Sequence, residues 1–174
     1  MLLQNKLRKQ TMARSELTLN ETLKKLMTID PELTFRICNA VALLAWLALA
    51  ASPAKARWAP SVWRVTGRIL PLLFALVYGA LLLSAEPTGG SFNSLAGVQQ
   101  IFSSPHALTA GWVHYLAFDL FVGAWIAQRA DTLQLPHWQV VPILALTFLF
   151  GPLGYAAFIF LRAVRRPQSL RLHG

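Results

Sequence analysis

Within the apolar stretch GWVHYLAFDLFVGAW, Gly111 to Trp125, stand an imidazole and a carboxylate, His114 and Asp119. Together these two groups can supply the base and the acid of a proton-transfer reaction. A charged Asp at the centre of a membrane helix costs about 2.5 to 3.5 kcal/mol on insertion scales, so such a residue turns to the bundle interior and finds a partner. Burial favours the neutral acid, which donates a hydrogen bond or a proton. His114 and Asp119 are five residues apart, about 140° around a helix, so they do not stack as an i, i+4 pair does. They line two walls of one cavity or face two different neighbouring helices. Trp112 and Tyr115 fall on the Asp119 side. With Phe118 they are the candidates to contact a flat apolar ligand. The plainer readings also stand: aromatics at this spacing as core, and Asp119 as a polar clamp between helices.

Other chemistry is absent from the pattern. His106, His114, His137 and His173 include no i, i+3 or i, i+4 pair, so no metal-ligand spacing is present. Cys38 is the single cysteine, which excludes an intrachain disulfide and a CxxC centre. There is no phosphate loop, nucleophile elbow or dinucleotide fingerprint, and no cofactor is expected. One backbone feature bears on Asp119. In FGPLG, Pro152 cannot donate to the carbonyl of Phe148, so the helix there should kink. Asp119 is expected at a similar depth, donating to the freed carbonyl, while Gly151 and Gly154 let its helix come close.

The elements that must position these groups are membrane helices. The 174 residues are 55% hydrophobic and only 13% charged, with a mean hydropathy of +0.48, which is wrong for a soluble domain. A net charge of +9 comes from Lys and Arg flanking long apolar runs, which suits lipid headgroups rather than nucleic acid. Strands are disfavoured because the apolar runs are too long and do not alternate. The expected fold is all-α: a four-transmembrane-helix bundle, with a short interfacial helix between spans two and three.

Span one runs from about Glu32 to Ala51, started by Asp30 as cap with Pro31 and Glu32 behind it and stopped by Pro53. Span two is the run ILPLLFALVYGALLLSA, span three about Ala107 to Ala127, and span four Val140 to Leu161. The domain reading is therefore 1–30 as an amphipathic or mobile N-terminal extension, 31–166 as the four-helix membrane domain, and 167–174 as a basic tail. No cleavable signal is evident. In loop two, Leu95, Val98 and Phe102 mark one face of the interfacial helix. Trp58, Trp63 and Trp138 sit at span edges, where aromatic anchors belong. With four crossings, Lys and Arg divide eleven against five in favour of cytoplasmic N- and C-termini, or five against five if translation starts at Met27.

The run SLAGVQQIFSSPHALTAGWVHYLAFDLFVGAWIAQRAD, followed by PHWQVVP and LTFLFGPLGY, resembles the abscisic-acid-deficient-four-like membrane proteins, whose plant members are tied to neoxanthin formation in plastid envelopes. The resemblance covers about Leu33 to Arg166 and is strongest from Gly97 onward. Its matching positions are Phe102, Ser103, Ser104, Trp112, His114, Asp119, Gly123, Pro142, Gly151, Pro152 and Gly154. A chain that starts almost at the domain, without a transit peptide, looks like a bacterial inner-membrane member.

The resemblance implies a carotenoid or isoprenoid isomerase, in which a 5,6-epoxide opens while a neighbouring proton is lost to leave an allene. Asp119 would then protonate the epoxide oxygen and His114 accept the carbon-bound proton, with Tyr115 and Trp112 flanking the polyene. The alternative is a non-catalytic membrane protein that binds an apolar ligand or assists a partner enzyme. A transporter is a third reading, but two intramembrane polar side chains are few for an ion path. The expected partners are the lipid bilayer and a carotenoid or other isoprenoid, with no nucleic acid.

Overall fold

A computed structural model of the protein describes Met12, Arg14 and residues 29–165. The amphipathic or mobile extension and the basic tail expected from the sequence lie largely outside the described residues. Among residues 29–165 six helices follow one another: α1 Pro31–Ala50, α2 Ala59–Ser84, α3 Leu95–Ile101, α4 Pro105–Thr132, α5 His137–Phe150 and α6 Pro152–Val164. No strand occurs among the described residues.

The helix starts follow from local chemistry. The Asp30 carboxylate accepts from the amides of Glu32 (3.0 Å) and Leu33 (3.4 Å), with Pro31 in the first turn where a missing N–H costs nothing. Ser94 caps α3 by accepting from the Gly97 amide at 3.0 Å. Inside α2, Pro71 has no N–H for the carbonyl four residues back, and the helix absorbs this in a π-helical turn, Val65–Ile69, where the Leu70 amide reaches back to Val65. That turn carries Gly67 against Ala124 of α4.

Contacts along the helices fix their directions. Thr109 meets Pro31, the Trp112 indole donates to Asn39 at 2.9 Å, and Gly123 lies against Trp46, so α1 and α4 run parallel. Tyr78 against His114 and Gly67 against Ala124 make α2 antiparallel to both. His106 and His137 staple the ends of this trio, with Nε2 to the carbonyls of Ile29 (3.0 Å) and Ala50 (2.8 Å). Gly123 is required where it stands, because any side chain there would overlap the Trp46 ring.

α1, α2 and α4 are long and apolar enough to cross a membrane. The expected fourth span, Val140 to Leu161, is not one helix, and this corrects the four-span reading. Gly151 takes φ +40°, ψ −92°, its amide closes α5 on the Thr147 carbonyl at 2.7 Å, and Pro152 opens α6. A glycine with positive φ followed by a residue without an N–H stops a helix rather than bending it. Gly154 then packs on Thr147 so tightly that a Cβ would overlap its backbone, whereas residues seven apart in a continuous helix stand about 10 Å apart. The chain has doubled back.

The core divides in two. One cluster gathers Trp46, Leu49, Trp63, Ala130, Leu144 and Phe158 among others, with contributions from every long helix. The other, around Cys38, Ala42, Phe74, Leu81, Val113 and Ala117, comes from α1, α2 and α4 alone. α5 and α6 thus pack beside one half of the trio only. Trp63, expected as an edge anchor, belongs to the core: it is 8% exposed and donates to the buried Ser52 hydroxyl at 3.2 Å. Trp58 and Trp138 are exposed.

Candidate functional site

α4 carries all the candidate groups, and its helical turn spreads them over opposite flanks. His114 faces α2. Its ring lies 5.5 Å from that of Tyr78 and 4.7 Å from that of Phe118, and no hydrogen bond reaches its nitrogens among the described residues. Asp119 is buried on the other flank, beneath the turn between α5 and α6. A Cβ built on Gly151 would lie 2.7 Å from Asp119 Oδ1 and 3.1 Å from Oδ2. Oδ2 is buried without a hydrogen-bond partner. The structure therefore does not bring His114 and Asp119 together; each is held against a different element.

Tyr115, one turn before Asp119, leans its hydroxyl toward the same carboxyl. Trp112 continues that flank, with its ring 5.4 Å from Tyr115 and 5.7 Å from Phe35. Trp112 is thus held by α1 through both a ring contact and the Asn39 hydrogen bond. Phe118, expected to share a ligand with Trp112 and Tyr115, sits with His114 instead. Of the two glycines expected to admit α4, Gly151 does so and Gly154 is taken up by Thr147.

The His114 flank opens into a groove of about 650 Å³ between α2 and α4. Gly67, Arg68, Pro71, Leu72, Phe74, Ala75 and Tyr78 form one wall, and His114, Ala117, Phe118 and Phe121 the other. The spacing explains the shape: positions 68, 71, 72, 75 and 78 are one face of α2, and 114, 117, 118 and 121 one face of α4. From Arg68 to Tyr78 the groove runs about 15 Å at 1.5 Å per residue. Its lining is almost wholly apolar, with Arg68 on the wall toward one end and His114 and Tyr78 toward the other. Such a site suits a long apolar molecule with an oxygen function near the imidazole.

Tyr78 and Arg68 were not picked out from sequence. The available signal was the α2 stripe ending in Tyr78, the one phenol of an apolar run. A second cavity, about 440 Å³, lies where α5 enters, among Ser52, Lys55, Asp131, Gln134 and His137 over a floor of Leu49 and Leu144. Trp63, Gln134 and His137 there already hydrogen-bond to Ser52, the Asp131 carbonyl and the Ala50 carbonyl.

Comparison with known proteins matches residues 33–158 to one family, described as ABA DEFICIENT 4-like. No curated protein and no solved structure matches the chain.

Proposed function

The chain belongs to the ABA DEFICIENT 4-like family, and on that premise we propose that it is an integral membrane protein that takes an elongated isoprenoid, such as a carotenoid, into the groove between α2 and α4. The observation that carries this reading is His114, a hydrogen-bonding imidazole left without a partner in an aromatic, otherwise apolar groove. Phe118 and Phe121 offer flat surface to a polyene. The imidazole meets its oxygen function, and α3 lies in the membrane interface beyond the ends of α2 and α4.

Binding is favoured over acid/base catalysis by the original pair, because Asp119 is closed in under Gly151 and faces away from the groove. A second reading rests on Tyr78 beside His114. In an epoxide isomerisation Tyr78 would give its proton to the oxygen as the C–O bond breaks. His114 would take the carbon-bound proton as the allene forms, and the proton passing from imidazole to phenolate restores both groups.

The test is expression in a carotenoid-producing host, followed by purification and pigment analysis. The native protein is expected to carry pigment, and His114→Ala and Phe118→Ala to lose most of it. Pigment retained in full by both variants would refute the groove as the site. Appearance of an allenic product, lost in Tyr78→Phe, would select the isomerase reading.

A further inference from the structure

The doubling back at Gly151 has a consequence for how the chain sits in a bilayer. Parallel α1 and α4 with antiparallel α2 place Pro31, Ser84 and Pro105 at one end of the trio, and Ala50, Ala59 and Thr132 at the other. α5 enters at the second end, where His137 bonds the Ala50 carbonyl. It travels as far as Asp119, near the midpoint of α4, and turns there. α6 then heads home: Tyr155 and Phe158 both reach Trp125, farther toward the second end, and Phe158 joins the cluster of Ala59, Trp63 and Ala130.

Lengths agree. α5 and α6, of 14 and 13 residues, are about 21 Å and 20 Å long, against about 30 Å of hydrocarbon. An irregular turn at that depth is tolerated only where protein covers it. Gly151 is buried and the Asp119 carboxyl lies over it.

We propose that α5 and α6 form a re-entrant hairpin, so that the chain crosses the membrane three times, and that the face at which the hairpin enters and leaves docks on anionic headgroups of the cytoplasmic leaflet. The charge distribution supplies the second half of this proposal. Of the eight Lys and Arg among residues 29–165, seven, from Lys55 to Arg165, fall on the hairpin half of the trio, Arg68 deepest at nine residues past the start of α2. The eighth, Arg36, is at the opposite end and is paired with Glu32 at 2.7 Å. Cations are retained on the cytoplasmic side and attracted by anionic lipid. Over residues 29–165 three crossings thus divide Lys and Arg seven against one, where four crossings would divide them five against three, and they put residues 30 and 165 on opposite faces; the six Lys and Arg that precede residue 29 are outside this count. This goes beyond the ligand-binding reading and does not depend on it.

The test uses the full chain with Cys38→Ser, carrying one new cysteine at a time, in sealed vesicles of known orientation treated with a membrane-impermeant maleimide. Ala51→Cys, Thr132→Cys and Ala163→Cys are expected to label from the cytoplasmic side, and Asn93→Cys only from the other. Labelling of Thr132→Cys and Ala163→Cys from opposite sides would overturn the hairpin. The charge half is read by adding Arg129→Gln, Arg162→Gln and Arg165→Gln to Asn93→Cys. Its labelling from the cytoplasmic side should rise several-fold as orientation becomes mixed, and an unchanged ratio would overturn the lipid-facing assignment.

Discussion

The Asp119 carboxyl lies over the Cα of Gly151, with Oδ1 2.7 Å from where a methyl group on that glycine would stand. Two helix ends meet at this point, the last carbonyls of α5 and the first turn of α6, and both lack intrahelical partners. A carboxylic acid can offer either a donor or an acceptor to them. Asp119 is thereby tied to the architecture more closely than to the groove.

Gly151→Ala should be among the most disruptive small changes in the molecule. The methyl collides with Asp119, and φ +40° is a backbone region that side chains rarely adopt. A loss of about 1 to 3 kcal/mol is expected, read as a lower Tm in detergent. Asp119→Ala in the same chain should restore part of it, because the collision goes and the backbone strain remains. Equal Tm for Gly151→Ala and the native protein would show the turn to be misplaced.

Asp119→Asn keeps the size and both hydrogen-bonding capacities of the group, and it lies outside the groove. Ligand binding should stay near the native level in this variant. Loss of binding with an unchanged Tm would return Asp119 to the functional site.

Trp63→Phe removes the indole that donates to the buried Ser52 hydroxyl at 3.2 Å. The destabilisation should be about 1 to 2 kcal/mol, the range for a buried hydrogen bond whose partner is left behind. Ser52→Ala, which also removes the bond of that hydroxyl to the Leu49 carbonyl at 2.7 Å, should then cost less in the Trp63→Phe background than in the native protein. Full additivity of the two changes would mean that the bond contributes nothing.

Gly123→Leu forces a side chain into the Trp46 ring and parts α1 from α4. Overpacking of this kind costs about 1 to 3 kcal/mol. Trp46→Ala should relieve it, and the double variant should melt above Gly123→Leu alone; a lower Tm would contradict the packing described.

Much of this was legible in the sequence. Asp30, Pro31 and Glu32 marked the start of α1 to within a residue, and the Leu95, Val98 and Phe102 face marked α3. The 140° between His114 and Asp119 already separated them. α2 proved longer than its uncharged run because Arg64 and Arg68 lie within its first turns, exposed, where long cationic side chains can reach headgroups. The hairpin was not legible. FGPLG announces a break, but whether a chain kinks or returns after a Gly-Pro pair depends on distant contacts such as Trp125 with Phe158. Phe118 was grouped with Trp112 and Tyr115 as a ligand contact for a related reason: composition names an aromatic, and only the neighbouring helix decides which groove it lines.

The most direct measurement of the central claim is a titration of the purified protein in lipid nanodiscs with a xanthophyll, followed by the circular dichroism that a polyene acquires in a chiral site. The native protein and Asp119→Asn should both give a saturable signal. Ala75→Trp, which fills the groove from an exposed position on α2, should abolish it. A native-like titration by Ala75→Trp would contradict the account.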